Sequence, residues 1–131
     1  SVNKDFNLIL RRHPSQNQEI TVGERIYKSS LDIDFNIMVH VPDLIIQVAS
    51  TIGMQAIIAN KLLLNVDCSI FTNDTPYTKM GFGTGINSLN KLPTAILDTL
   101  SNNSLKKEYK PTQDALKNVT KELKKIYDTY S

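Results

Sequence analysis

The sequence predicts an α/β domain with a parallel sheet flanked by helices, and three observations point there. Two short, almost wholly apolar runs, Leu44 to Val48 and Leu62 to Val66, read as strands. Between them, Thr51 to Asn60 places apolar residues at helical spacing, so this stretch reads strand, turn, helix, strand. Short strands alternating with helices continue on either side, the arrangement that parallel sheets require.

The elements follow in order. Phe6 to Leu10 is a strand that ends in Arg11-Arg12-His13-Pro14, where proline stops regular pairing. Ile20 to Tyr27 alternates weakly around Gly23 and reads as a second strand. Ser29 to Asp34 offers N-caps for a short helix carrying Phe35, Met38 and Val39 on one face, ended by Pro42. After the central strand–helix–strand unit, Asp67 to Gly85 is loop, rich in Asn, Asp, Pro and Gly, and Gly85 to Asn87 forms a brief strand. Asn90 caps a helix with Pro93 in its first turn, running through Leu100 and closed by Asn102-Asn103. Pro111 opens a last helix, about 111–130, whose apolar stripe of Ala115, Leu116, Val119, Leu123, Ile126, Tyr127 and Tyr130 should pack on the domain.

At 131 residues and 40% hydrophobic, the chain fits a single domain with a single core. One cysteine, Cys68, excludes an intrachain disulfide and a multi-cysteine zinc site. No apolar run reaches the length of a membrane span. The net charge of +2 is unevenly placed: the segment from Ser101 onward carries +3 and the remainder −1. That C-terminal excess either solvates a helix or favours an anionic membrane surface. Basic residues do not gather with aromatics, so nucleic acid is not an expected partner.

Ligands of parallel α/β sheets bind beyond the carboxyl ends of the strands, where both His13 and Ser50-Thr51 fall. Ser50, Thr51, Ile52 and Gly53 make either a phosphate seat at a helix start or an ordinary helix cap. In the first reading Gly53 lets backbone approach a ligand or a neighbouring strand closely. Gln55, four residues beyond Thr51, can reach ribose hydroxyls or be a solvated helix residue. Arg11 and His13 can meet phosphate oxygens, and the imidazole can transfer a proton near neutral pH. Asp32-Ile33-Asp34 matches an Asp-x-Asp metal string but precedes a helix, which makes it a cap, and no metal is expected. Gly81 to Gly85 resembles a phosphate loop without a clear preceding strand and reads as a turn. His40 is read as packing or surface.

The strings Leu8-Ile-Leu-Arg-Arg-His-Pro-Ser15 and Pro42 to Leu64 resemble the C-terminal, nucleotide-sugar-binding half of GT-B-fold surface and capsule polysaccharide glycosyltransferases. That group is related to CDP-glycerol glycerophosphotransferases and UDP-N-acetylglucosamine 2-epimerases. The resemblance covers roughly Asn7 to Leu100. It implies a Rossmann-like domain, truncated at its N-terminus, with His13 near the donor phosphates as the catalytic candidate and Arg11, Ser50, Thr51 and Gly53 around them. Gln55 then occupies a position where the family commonly has a glutamate on the ribose, a departure that removes a charge-assisted bond. Leu62 stands where the family often has proline. The donor implied is a nucleotide-activated sugar or CDP-activated substrate, with no further cofactor and no metal. The acceptor-binding N-terminal domain would lie elsewhere, and the site would be cytoplasmic, at or near the inner face of the cell membrane, with peripheral membrane association. An epimerase-like nucleotide-sugar enzyme and a non-catalytic protein-interaction module are the alternatives.

Overall fold

The computed structural model describes residues 6–13, 19, 21–30, 32–102 and 114–130. Among the described residues, five short strands and four α-helices follow one another as β1 (Leu8–Leu10), β2 (Ile26–Lys28), α1 (Phe35–Met38), β3 (Leu44–Gln47), α2 (Ile52–Ile58), β4 (Leu62–Val66), β5 (Thr84–Ile86), α3 (Leu92–Ser101) and α4 (Ala115–Tyr130). Every strand pairing is parallel. The expected α/β class is therefore observed, and it is compatible with a Rossmann-like fold.

One expectation needs correction. The strands do not form one sheet but two: β1 pairs with β2, and β3, β4 and β5 form a separate three-stranded sheet in that order. The residues that follow β1 and β2 meet α1 and the turn before it. Arg11, just past β1, donates from Nη1 to the Ile33 carbonyl at 2.8 Å, and Ser29, just past β2, places its hydroxyl 2.8 Å from the Met38 sulfur.

The core lies on both sides of β4, the middle strand of its sheet, all five of whose residues are buried. Alternation along the strand sends successive side chains to opposite faces. Leu63 joins Val39, Ile45, Ala56, Ile57 and Tyr77 on the α2 side. Leu64 and Val66 join Ile86 on the α3 side, packed by Leu44, Leu92, Ala95 and Ile96. This is why Leu62 to Val66 lacks a polar alternation in sequence: neither face meets water.

Local chemistry explains the boundaries. Asp34 caps α1, its carboxylate accepting from the Asn36 N–H at 2.8 Å, which settles Asp32-Ile33-Asp34 as a cap. Helix α2 ends where Asn60 enters the left-handed region at φ 54°, and the Lys61 N–H closes back on the Ala56 carbonyl at 2.9 Å. The start of α3 differs from expectation: Asn90 lies in a single 3₁₀ turn, Leu89–Lys91, and Lys91 occupies the N-cap without a side-chain bond. Proline at the start of α3 substitutes for the cap, since it fixes φ and lacks the N–H that would need a partner. Ile20, Asn103 and Pro111 lie outside the described residues.

Helix α4 is present, and of its stripe the side chains of Val119, Leu123 and Tyr127 lie among the described residues. Val119, Leu123 and Tyr127 are 56%, 60% and 72% exposed, and α4 takes no part in the main packing between described elements.

Gly83 shows how tightly the loop before β5 closes on the sheet. Its φ is +73°, and a Cβ there would lie 2.9 Å from the Leu63 Cβ and still nearer the Leu63 carbonyl oxygen. Gly83→Ala should destabilise the protein by roughly 2 kcal/mol or more, measured as a lowered urea midpoint at unchanged m-value. Leu64→Ala, at a fully buried position, should cost about 3 kcal/mol in the same measurement.

Candidate functional site

Strands β3, β4 and β5 run parallel, so their carboxyl ends, Gln47, Val66 and Ile86, share one edge. The turn from β3 into α2 lies there. It contains Ala49 at φ 43°, a left-handed backbone that costs an alanine roughly 1–2 kcal/mol. Ser50 and Thr51 follow directly, with Thr51 at the N-cap of α2 making no side-chain cap bond.

The turn is braced from within. The Ser50 N–H donates to Gln47 Oε1 at 2.8 Å, and the Ile52 N–H donates to the Ser50 hydroxyl at 3.3 Å. The Gly53 and Met54 N–H groups donate to the Ser50 and Thr51 carbonyls at 3.1 and 3.0 Å. Four of the five N–H groups from Ser50 to Met54 are therefore bonded inside the protein. A phosphate seat made of orphan backbone donors is correspondingly reduced. What the turn offers a ligand is chiefly the two hydroxyls, with Thr51 exposed.

A Cβ at Gly53 would lie 2.8 Å from Cδ2 of Tyr77 and closer still to Cε2, so the glycine makes room for an aromatic ring. The Tyr77 hydroxyl donates to the Ser50 carbonyl at 3.2 Å. One residue of the 72–83 loop thus holds the turn by both its ring and its hydroxyl.

Behind the turn stands a buried amide relay that the sequence reading missed. Gln47 Nε2 donates to Asn65 Oδ1 at 2.6 Å, while Asn65 Nδ2 donates to the Thr78 hydroxyl and the Phe82 carbonyl, each at 3.0 Å. Asn65 has no exposed surface and Gln47 only 6%. A buried amide must find partners for both its donors and its acceptor, and here they come from another strand and a distant loop. The available signal was a polar residue inside each apolar run, Gln47 and Asn65, at positions that the strand register sets opposite one another.

The remaining candidates gather around α1. Arg11 is partly buried, with its guanidinium 5.6 Å from the centre of the Phe35 ring and Nη1 also 3.4 Å from the Ser30 carbonyl. Gln55 donates from Nε2 to Asn36 Oδ1 at 3.1 Å. Arg11 and Gln55, which come from different parts of the chain, therefore touch the same short helix. His13 is exposed; Pro14, its partner in the His-Pro pair, lies outside the described residues. His40 is also exposed, and its carbonyl accepts from Lys61 Nζ at 2.8 Å. Gly81 and Gly83 have positive φ, so the glycine-rich segment is a turn shaped for backbone conformation and close packing.

Among the described residues, no group of three or more His, Cys, Asp or Glu is placed to hold a metal ion. No helix among the described residues is long and apolar enough to cross a membrane. Comparison of the chain with protein-family models, with curated proteins and with solved structures finds no match.

The relay makes a clear demand on stability. Asn65→Leu keeps the volume but strips partners from the Gln47 amide and the Phe82 carbonyl, and should cost about 2–4 kcal/mol by denaturant unfolding. Tyr77→Phe keeps the ring against Gly53 and removes only the bond to the Ser50 carbonyl, so it should cost about 1 kcal/mol.

Proposed function

We propose that this chain is the donor-binding domain of a GT-B-type glycosyltransferase in cell-surface polysaccharide assembly. The observation that carries the reading is the position of Ser50 and Thr51. They follow a left-handed residue at the carboxyl edge of a parallel sheet, the place where α/β folds bind ligands. The sequence resemblance adds the donor class. In this reading the hydroxyls of Ser50 and Thr51 donate to diphosphate oxygens, and Arg11 and His13 neutralise charge as it grows on the leaving group. Gln55 bonds a ribose hydroxyl as a neutral amide. The bond from the anomeric carbon to the diphosphate breaks while one forms to an acceptor hydroxyl, whose proton is taken up on the acceptor side, in another domain. The step relies on side chains instead of a metal ion.

An epimerase-like enzyme would use the same donor site, and product analysis separates the two. A non-catalytic interaction module is favoured by different observations: the turn's N–H groups are largely bonded within the protein, and Gln55 lacks the carboxylate.

Calorimetric titration with UDP, CDP and CMP distinguishes these readings. The donor-site reading expects Ser50→Ala/Thr51→Ala to weaken nucleotide diphosphate binding by about tenfold or more, the loss of hydrogen bonds to a charged group. Unchanged affinity in the double variant would remove the phosphate role. A protein that binds none of the three nucleotides would favour the interaction module.

A further inference from the structure

Asp67 is the first residue beyond β4, at the edge that also holds Ser50 and Thr51, and it has no role in the donor site proposed above. Its backbone is fixed by the bond from its N–H to the Ile86 carbonyl at 2.7 Å. Its side chain is half-buried, yet among the described residues the carboxylate accepts no hydrogen bond and makes no ion pair. A charge partly withdrawn from water without a partner is costly. The fold nevertheless makes room for it. A Cβ at Gly85, in the middle of β5, would lie 2.7 Å from the Thr78 hydroxyl oxygen and nearer still to Asp67 Oδ2, so a larger residue would push the carboxylate away from β5. Thr78 accepts from Asn65 Nδ2 at 3.0 Å, but its own hydroxyl proton has no acceptor among the described residues. The buried relay from the Ser50 turn through Gln47 and Asn65 therefore ends in an unused donor beside an unused acceptor.

We propose that Asp67 and Thr78 form a subsite for a sugar hydroxyl at the carboxyl edge, so that Asp67 is a specificity-determining residue for the sugar of a nucleotide-activated donor. This rests on the donor reading of Ser50 and Thr51. The chemistry of the pair chooses the ligand group. A hydroxyl both donates and accepts, so it satisfies the carboxylate and the Thr78 proton together. An ammonium group only donates, and a phosphate would meet the carboxylate as a like charge. Position chooses which hydroxyl. Gln55, the ribose candidate, bonds to Asn36 of α1, whereas Asp67 lies against β5, so the two polar groups are held by different elements. Neighbouring strands lie about 5 Å apart, which puts the end of β4 one strand spacing from the end of β3 and the turn that follows it. A sugar linked to a diphosphate seated at Ser50 and Thr51 spans that interval.

Calorimetric titration of the whole chain with UDP, CDP, UDP-glucose, UDP-N-acetylglucosamine and CDP-glucose tests the proposal. At least one sugar conjugate should bind about tenfold or more tightly than its parent diphosphate, as expected for hydrogen bonds to a charged group. Asp67→Ala should remove that gain, and Asp67→Asn, which keeps the shape without the charge, should remove most of it. Neither variant should change the affinity for UDP or CDP, and Asp67→Asn should not lower the thermal unfolding midpoint. Three results would overturn the subsite: diphosphates that bind with no gain from any sugar, an Asp67→Asn variant that weakens UDP and CDP as much as their conjugates, or a lowered midpoint, which would assign the carboxylate to holding Thr78. Failure of every one of these nucleotides to bind would instead remove the donor reading itself, and the subsite with it.

Discussion

The structure depends on how one polar side chain is satisfied in the middle of its core. Asn65 sits in β4, between layers of leucine, isoleucine and valine, with no exposed surface. Left unbonded, its amide would cost more than any single apolar contact around it returns. Its three bonds reach Gln47 in β3 and Thr78 and Phe82 in the loop before β5, so satisfying one residue ties two other segments to β4. Because Gln47 passes its oxygen on to the Ser50 N–H, the shape of the edge turn is set from inside the core.

This coupling bears on function. The same loop supplies Tyr77, whose ring occupies the space at Gly53 and whose hydroxyl holds the Ser50 carbonyl. The turn is thus held by protein groups, with its backbone donors mostly engaged and Thr51 exposed. Preorganisation of that kind suits a site that must present hydroxyls to an anion without rearranging. It suits less well a site in which the backbone itself wraps the ligand.

Helix α1 has the second organising position. Arg11 reaches it from β1 and Gln55 from α2, and its own cap comes from Asp34. A short helix of four residues has little stability of its own, so these contacts define it as much as it defines them.

Most of the local structure was legible in the sequence because its causes are local. The apolar runs at Leu44 to Val48 and Leu62 to Val66, Asp34 before Phe35, and Pro93 at the head of α3 specify strand, cap and helix through neighbouring residues. The carboxyl-edge position of Ser50 and Thr51 followed from that order of elements. What the sequence could not determine were meetings between residues far apart in the chain. Gly53 against Tyr77, Asn65 against Gln47 and Thr78, and Arg11 over Phe35 are set by the tertiary fold. The division into two sheets belongs with them, as does the exposure of Val119, Leu123 and Tyr127 on α4. Periodicity along a helix identifies which side is apolar, but only the arrangement of the other elements decides whether anything in the protein covers it.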